Sequence, residues 1–203
     1  MSDLEFRRWK TAPVSQLADL CSCLDDMLSV IDFTSRLIEL FDQYEPDYTL
    51  LDALSTATIV RYTRCFVQGY RFRLDGEAHL TMDESESLLH ERIRQTRDWH
   101  IAHPINLQEI YTLAVGFDPQ AGAAAKAEAI AVQGRSEIPL EAPDLFTLRR
   151  LAERWRDWLE QAVNESRAQL LPEAMKLSAE QLLGLPSTPE RPNPNPQARR
   201  KQR

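Results

Sequence analysis

Glycine is scarce in this chain, with 6 among 203 residues, and between Val14 and His103 only Gly69, Gly76 and Pro46 break the run. Such long stretches without Gly or Pro exclude a strand-rich sandwich, which needs frequent tight turns, and favour helices. Long apolar runs are missing as well. None approaches the roughly 18–20 residues that cross a bilayer, and residues 1–13 are charged rather than signal-like, so the expected setting is soluble and cytoplasmic, with no membrane partner. Cysteine is limited to Cys21, Cys23 and Cys65. An odd number without a Cys-x-x-Cys pair argues against a disulfide framework or a complete zinc site. The chain also lacks a Gly-rich phosphate loop, a His-Glu-x-x-His pair and a Gly-x-Ser-x-Gly elbow, which removes support for a P-loop NTPase, a zincin or an α/β-hydrolase.

Positive charge is short too. The tail from Ser187 to Arg203 carries a local +4, leaving −11 for the rest of a chain whose net charge is −7. An acidic body offers no broad electrostatic surface to nucleic acid, because counterion release needs clustered Lys and Arg. Any RNA site must be a local basic patch.

Hydrophobic residues make up 43% of the chain, enough for one substantial core. The apolar positions Leu17, Leu20, Leu24, Met27, Leu28, Ile31, Leu37, Ile38 and Phe41 recur at three-to-four-residue spacing and predict a helix from about Val14 to Tyr44. A second helix, apolar over much of its circumference, is predicted from Thr49 to Tyr70. Asp83, with Glu84 and Glu86 behind it, reads as the N-cap of a third. This third helix should run to about Ala102, since Pro104 disfavours α geometry at His103. Two short β-type stretches, Glu109–Phe117 and Glu128–Ile138, flank an Ala-rich link and suggest a hairpin over about residues 109–138. Pro143-Asp144 opens a long helix that Pro172 should kink or restart, and Leu177–Leu183 predicts a short last one. The expected architecture is mainly α: a segment 1–13, one helical domain over 14–186 with a small inserted β-hairpin, and a disordered basic tail over 187–203.

The residues that carry chemistry concentrate in Arg97-Asp98-Trp99-His100-Ile101-Ala102-His103. A fixed cation, a carboxylate and two imidazoles suit acid–base work on a phosphodiester. On a continuous helix Arg97 and His103 would lie roughly 120° apart, so sharing a cleft requires the chain to leave the helix at His103 or to meet a second copy. The plain alternative makes Arg97 and Asp98 surface charges, Trp99 and Ile101 core, and the two histidines C-terminal helix caps. A second cluster, Arg61-Tyr62-Thr63-Arg64-Cys65-Phe66, puts two arginines on one helix face. Arg61 and Arg64 read either as a phosphate-binding patch or as salt-bridge partners of Glu84, Glu86, Glu91 or Asp98. Trp155 and Trp158 among Arg149, Arg150, Arg154 and Arg156 mix aromatics and bases as single-stranded RNA sites do; core packing, with the arginines paired to Glu153, Asp157 and Glu160, is the ordinary explanation. His79 and His90 stand alone and read as structural or surface groups.

The Arg-Asp pair followed by Ala-His at a helix end, together with the Arg-Tyr…Arg-Phe run ahead of Gly69, resembles the HEPN superfamily of helical bundles. That resemblance implies a HEPN-like bundle and a homodimeric endoribonuclease of toxin–antitoxin or phage-defence type, acting on tRNA or mRNA without a metal or other cofactor. It makes Arg97 the electrostatic catalyst, His103 the general base or acid, Asp98 the orienting group and Arg61 with Arg64 the RNA phosphate contacts. An antitoxin or other protein partner is implied with it. Some members keep the bundle without cleavage, so a non-catalytic dimerisation or nucleotide- or protein-binding module is the alternative, and the acidic body favours it.

Overall fold

The computed structural model describes residues 6–67, 72–74, 80–98, 109–124, 126–136 and 140–187. Among them the elements are α1 (Ala12–Phe41), α2 (Tyr48–Thr63), α3 (Glu84–Thr96), β1 (Glu109–Phe117), β2 (Ala127–Ser136), α4 (Ala142–Ala174) and α5 (Ala179–Gly184). The chain is mainly helical with one two-stranded antiparallel hairpin, as the patterning predicts. The tail segment 188–203 lies outside the described residues.

α1 begins where Thr11 accepts a hydrogen bond from the Val14 N–H, with Pro13 in the first turn where its missing N–H costs nothing. Its buried stripe of Leu20, Cys23, Met27, Val30, Thr34, Leu37 and Leu40 faces two partners, α2 and above all α4. α4 answers with Leu145, Leu148, Leu151, Trp155, Leu159 and Val163 at the same helical spacing. These two stripes form the centre of the core, where each fully buried leucine contributes roughly 2 kcal/mol. Thr34 sits in the stripe without penalty because its hydroxyl donates to the Val30 and Ile31 carbonyls.

Three helix ends differ from the sequence expectation. α2 stops at Thr63 rather than near Tyr70: Cys65 and Phe66 donate to the Tyr62 and Thr63 carbonyls in tight turns, and the Cys65 carbonyl accepts from the returning Leu74 N–H. α3 loses regular α hydrogen bonding after Thr96, and Arg97–Asp98 continue in a wider π turn. The expected exit at His103 lies outside the described residues. α4 runs on through Pro172 to Ala174 without restarting; so close to the helix end, the proline removes only one of the last backbone bonds.

The hairpin spans the expected residues, with cross-strand partners from Glu109↔Ser136 to Gly116↔Ala129 and a bulge before Phe117. Its Ala-rich link closes through a short 3-10 turn, Pro119–Ala124, in which Gly122 takes a positive φ of 52°. At the opposite end of the chain, Ser178 caps α5. The extended residues beyond it are tied to the N-terminal segment: Arg7 bridges Ser187, the Arg8 N–H donates to the Pro186 carbonyl, and the Arg7 guanidinium donates to the Leu183 and Leu185 carbonyls.

Candidate functional site

α3 is held by its first turns. Asp83 and Glu86 form a reciprocal capping box, each side chain accepting from the other's backbone N–H. The fully buried Glu86 carboxylate also receives Arg150, at 3.3 Å, and Arg154 from α4. Arg150 reaches Asp83 at 2.8 Å, and Arg154 donates to the Thr81 carbonyl. One helix turn or more further on, Arg92 of α3 pairs with Asp144 at the start of α4. The order of these pairs makes the two helices antiparallel, so the exit of α3 lies at the end of the bundle where α4 begins.

That exit carries the first candidate cluster. Arg97 donates to Asp98 at 2.7 Å, with side chains 37% and 53% exposed respectively. The two candidate residues are thus brought together in a solvent-facing pair at the helix end. His103, the third member, lies outside the described residues, as do Trp99 and His100.

Arg61 and Arg64 are brought together by a different group from those the sequence suggested. Both converge on Asp26 of α1, at 2.8 and 3.6 Å, and that carboxylate is buried while the guanidiniums remain 42% and 50% exposed. The reason is rotation along α2: Tyr62, one residue on, points to α3, which leaves the two arginines facing α1. Among the described residues no hydrogen bond or ion pair joins them to Glu84, Glu86, Glu91 or Asp98. Two guanidiniums on one carboxylate leave one net positive charge at a half-exposed position. Asp26 escaped the sequence reading, although its place between Cys23 and Val30 in the apolar stripe of α1 marks it as an acid needing a buried partner.

His90, which the sequence marks as a structural or surface group, is a structural one. Its Nδ1 lies 2.8 Å from the Tyr62 hydroxyl, and the imidazole meets the Tyr62 and Phe66 rings edge-on, with Trp155 against Phe66 beyond. Burial first, and the Arg94 charge second, lower the His90 pKa to about 4, with Glu91 opposing. Burial likewise pushes the Tyr62 phenol well above its ordinary value, aided by Cys65 and Glu86. Both groups are therefore neutral at physiological pH, and the pair acts as a polar pin between α2 and α3. Only its Tyr62 end could have been anticipated, from an aromatic on the apolar side of α2.

The α4 tryptophans follow the ordinary reading. Trp155 is fully buried and Trp158 packs edge-on against it. Arg149 pairs with Glu153 and Arg156 with Asp157, whereas Arg150 and Arg154 cross to α3 instead of pairing within their own helix. His, Cys, Asp and Glu side chains form no group of three or more placed to hold a metal ion among the described residues. Nor is any helix there long and apolar enough to cross a membrane. No protein-family model, curated protein or solved structure matches the chain.

Proposed function

We propose that the chain is a HEPN-type, metal-independent endoribonuclease of a toxin–antitoxin or phage-defence system. One observation carries the reading beside the sequence motif. Arg61, Arg64, Arg150 and Arg154 are all engaged by the buried carboxylates Asp26 and Glu86, whereas Arg97 is paired with its exposed neighbour Asp98 at the helix exit. A guanidinium so placed keeps its donors within reach of a phosphate.

In this mechanism neutral His103 takes the proton from a ribose 2′-hydroxyl as that oxygen attacks phosphorus. Arg97 stabilises the charge that develops on the phosphoryl oxygens, and Asp98 fixes the guanidinium plane. The P–O5′ bond breaks, the leaving oxygen takes a proton from water while the His103 imidazolium returns its proton to solvent, and the products carry a 2′,3′-cyclic phosphate and a 5′-hydroxyl. Arg61 and Arg64, half-exposed with one net charge between them, supply a weaker phosphate contact. Incubating wild-type protein and His103→Ala with a tRNA pool and total RNA in EDTA tests the proposal. The expected outcome is cleavage with cyclic-phosphate ends by wild type and a loss of at least about 100-fold in the variant, the scale of one general base. Equal cleavage by both proteins would remove His103 from the mechanism.

A second reading, a non-catalytic interaction module, draws on a separate observation: the hairpin presents large apolar side chains to solvent. Absence of cleavage by either protein favours it.

A further inference from the structure

Alternation along β1 puts Leu113, Val115 and Phe117 on one face of the hairpin. The cross-strand pairs Leu113↔Val132 and Val115↔Ile130 add two side chains of β2 to the same face. All five are more than half exposed, at 71, 58, 58, 64 and 75% for Leu113, Val115, Phe117, Val132 and Ile130. The reverse face carries Thr112, Ala114 and Gly116, the last two opposite Ala131 and Ala129. Among the described residues the strands' one extensive contact is with each other. A lone two-stranded hairpin is marginally stable in water, and among the described residues no other element gives this ribbon the apolar cover that would hold it.

We infer that the apolar face of the hairpin is a self-association surface, covered by the same face of a second copy of this chain. Charge selects that occupant. No charged residue lies from Ile110 to Phe117 or from Ala129 to Gln133, and Glu128 stands only at the bulge beside Phe117, at the end of the face, so an acidic or basic partner finds nothing to pair with across its centre. Elsewhere a chain of net charge −7 repels its own copy; at the centre of this face two copies meet without juxtaposed like charges. Area points the same way. Five such side chains expose on the order of 500 Å² per copy, so two copies bury about 1,000 Å², the scale of a weak, reversible interface. Face-to-face packing about a two-fold axis is isologous and closes at two copies. It also turns two marginal ribbons into a two-layer stack of four strands. The inference extends the interaction reading by naming the partner and takes nothing from the cleavage reading.

Sedimentation velocity of the full chain at concentrations up to about 100 µM tests it, this being the range in which a weak interface saturates. Wild type should show a reversible monomer–dimer equilibrium. Val115→Lys and Ile130→Lys should each weaken it by at least about tenfold, because a lysine there would be buried unpaired. Ala131→Lys, on the reverse face, should leave it unchanged. A Val115→Thr, Ile130→Thr double variant keeps β-branching and strand preference while removing apolar area, and should also weaken dimerisation; far-UV circular dichroism should show unaltered helix in every variant. A wild-type chain that stays monomeric throughout overturns the inference and assigns the face to a different protein. Dimerisation that the face variants leave intact also overturns it, by placing the interface elsewhere. RNA cleavage is read separately, so either result stands whatever the other shows.

Discussion

His90 accepts a proton far less readily in the folded protein than in the unfolded chain, and the direction of that shift fixes a pH dependence. Between pH about 6.5 and about 4 the unfolded chain is protonated at this imidazole while the folded protein is not. Stability is therefore fully present above pH 6.5 and is lost as pH falls through that window, by about 3 kcal/mol in all. Urea denaturation from pH 7.5 to 4 should show this decline. His90→Gln, which keeps a hydrogen-bonding group near Tyr62 without titrating there, should lower stability at neutral pH yet flatten the decline; an unchanged slope would assign it to the carboxylates instead. The sequence showed which residue types could titrate, but not that a lone histidine and a lone tyrosine 28 positions apart in the chain meet in the core. Such a pair depends on how α2 and α3 are rotated, which periodicity does not specify. Asp26 was closer to legible, since an acid inside an apolar stripe announces a buried ion pair, although not which arginines complete it.

Between elements, the seam of α1 and α4 bears the stability and the hairpin very little. Leu148→Ala, at a fully buried seam position, should cost about 2–5 kcal/mol, whereas Leu113→Ala on the exposed ribbon should change the unfolding of dilute, monomeric protein by less than about 0.5 kcal/mol. Chemical denaturation of both variants at low concentration checks the contrast. Elements with a clean period were legible in the sequence: α1 and α4 from their three-to-four-residue stripes, the hairpin from two β-type stretches around an Ala-rich link. Helix starts were legible too, as at the Asp83 N-cap, but the C-terminal ends were not. Apolar residues continue beyond Thr63, yet α2 stops there because the Cys65 carbonyl is taken by the Leu74 N–H. Pro172 looks like a break, but α4 has one short turn left to lose.

At the scale of the whole molecule, the hairpin is an appendage to a helical core. Replacing residues 110–135 with a short Gly-Ser linker should leave the thermal midpoint of dilute protein within a few degrees of wild type, because among the described residues the strands' extensive packing is with each other. Wild type should also melt at a higher temperature as protein concentration rises, as mass action requires of a dimer, and the excised chain should not. Calorimetry at two concentrations reads both effects. The order of packing in the core has a further consequence, for biosynthesis. The most extensive partner of α1 is α4, whose last buried side chain, Val163, is made more than a hundred residues after α1 is complete. At ribosomal speed that interval is on the order of ten seconds. During it α2 can shield only part of the α1 stripe, so the nascent chain carries an uncovered greasy helix while it is still tethered, a natural handhold for a ribosome-associated chaperone.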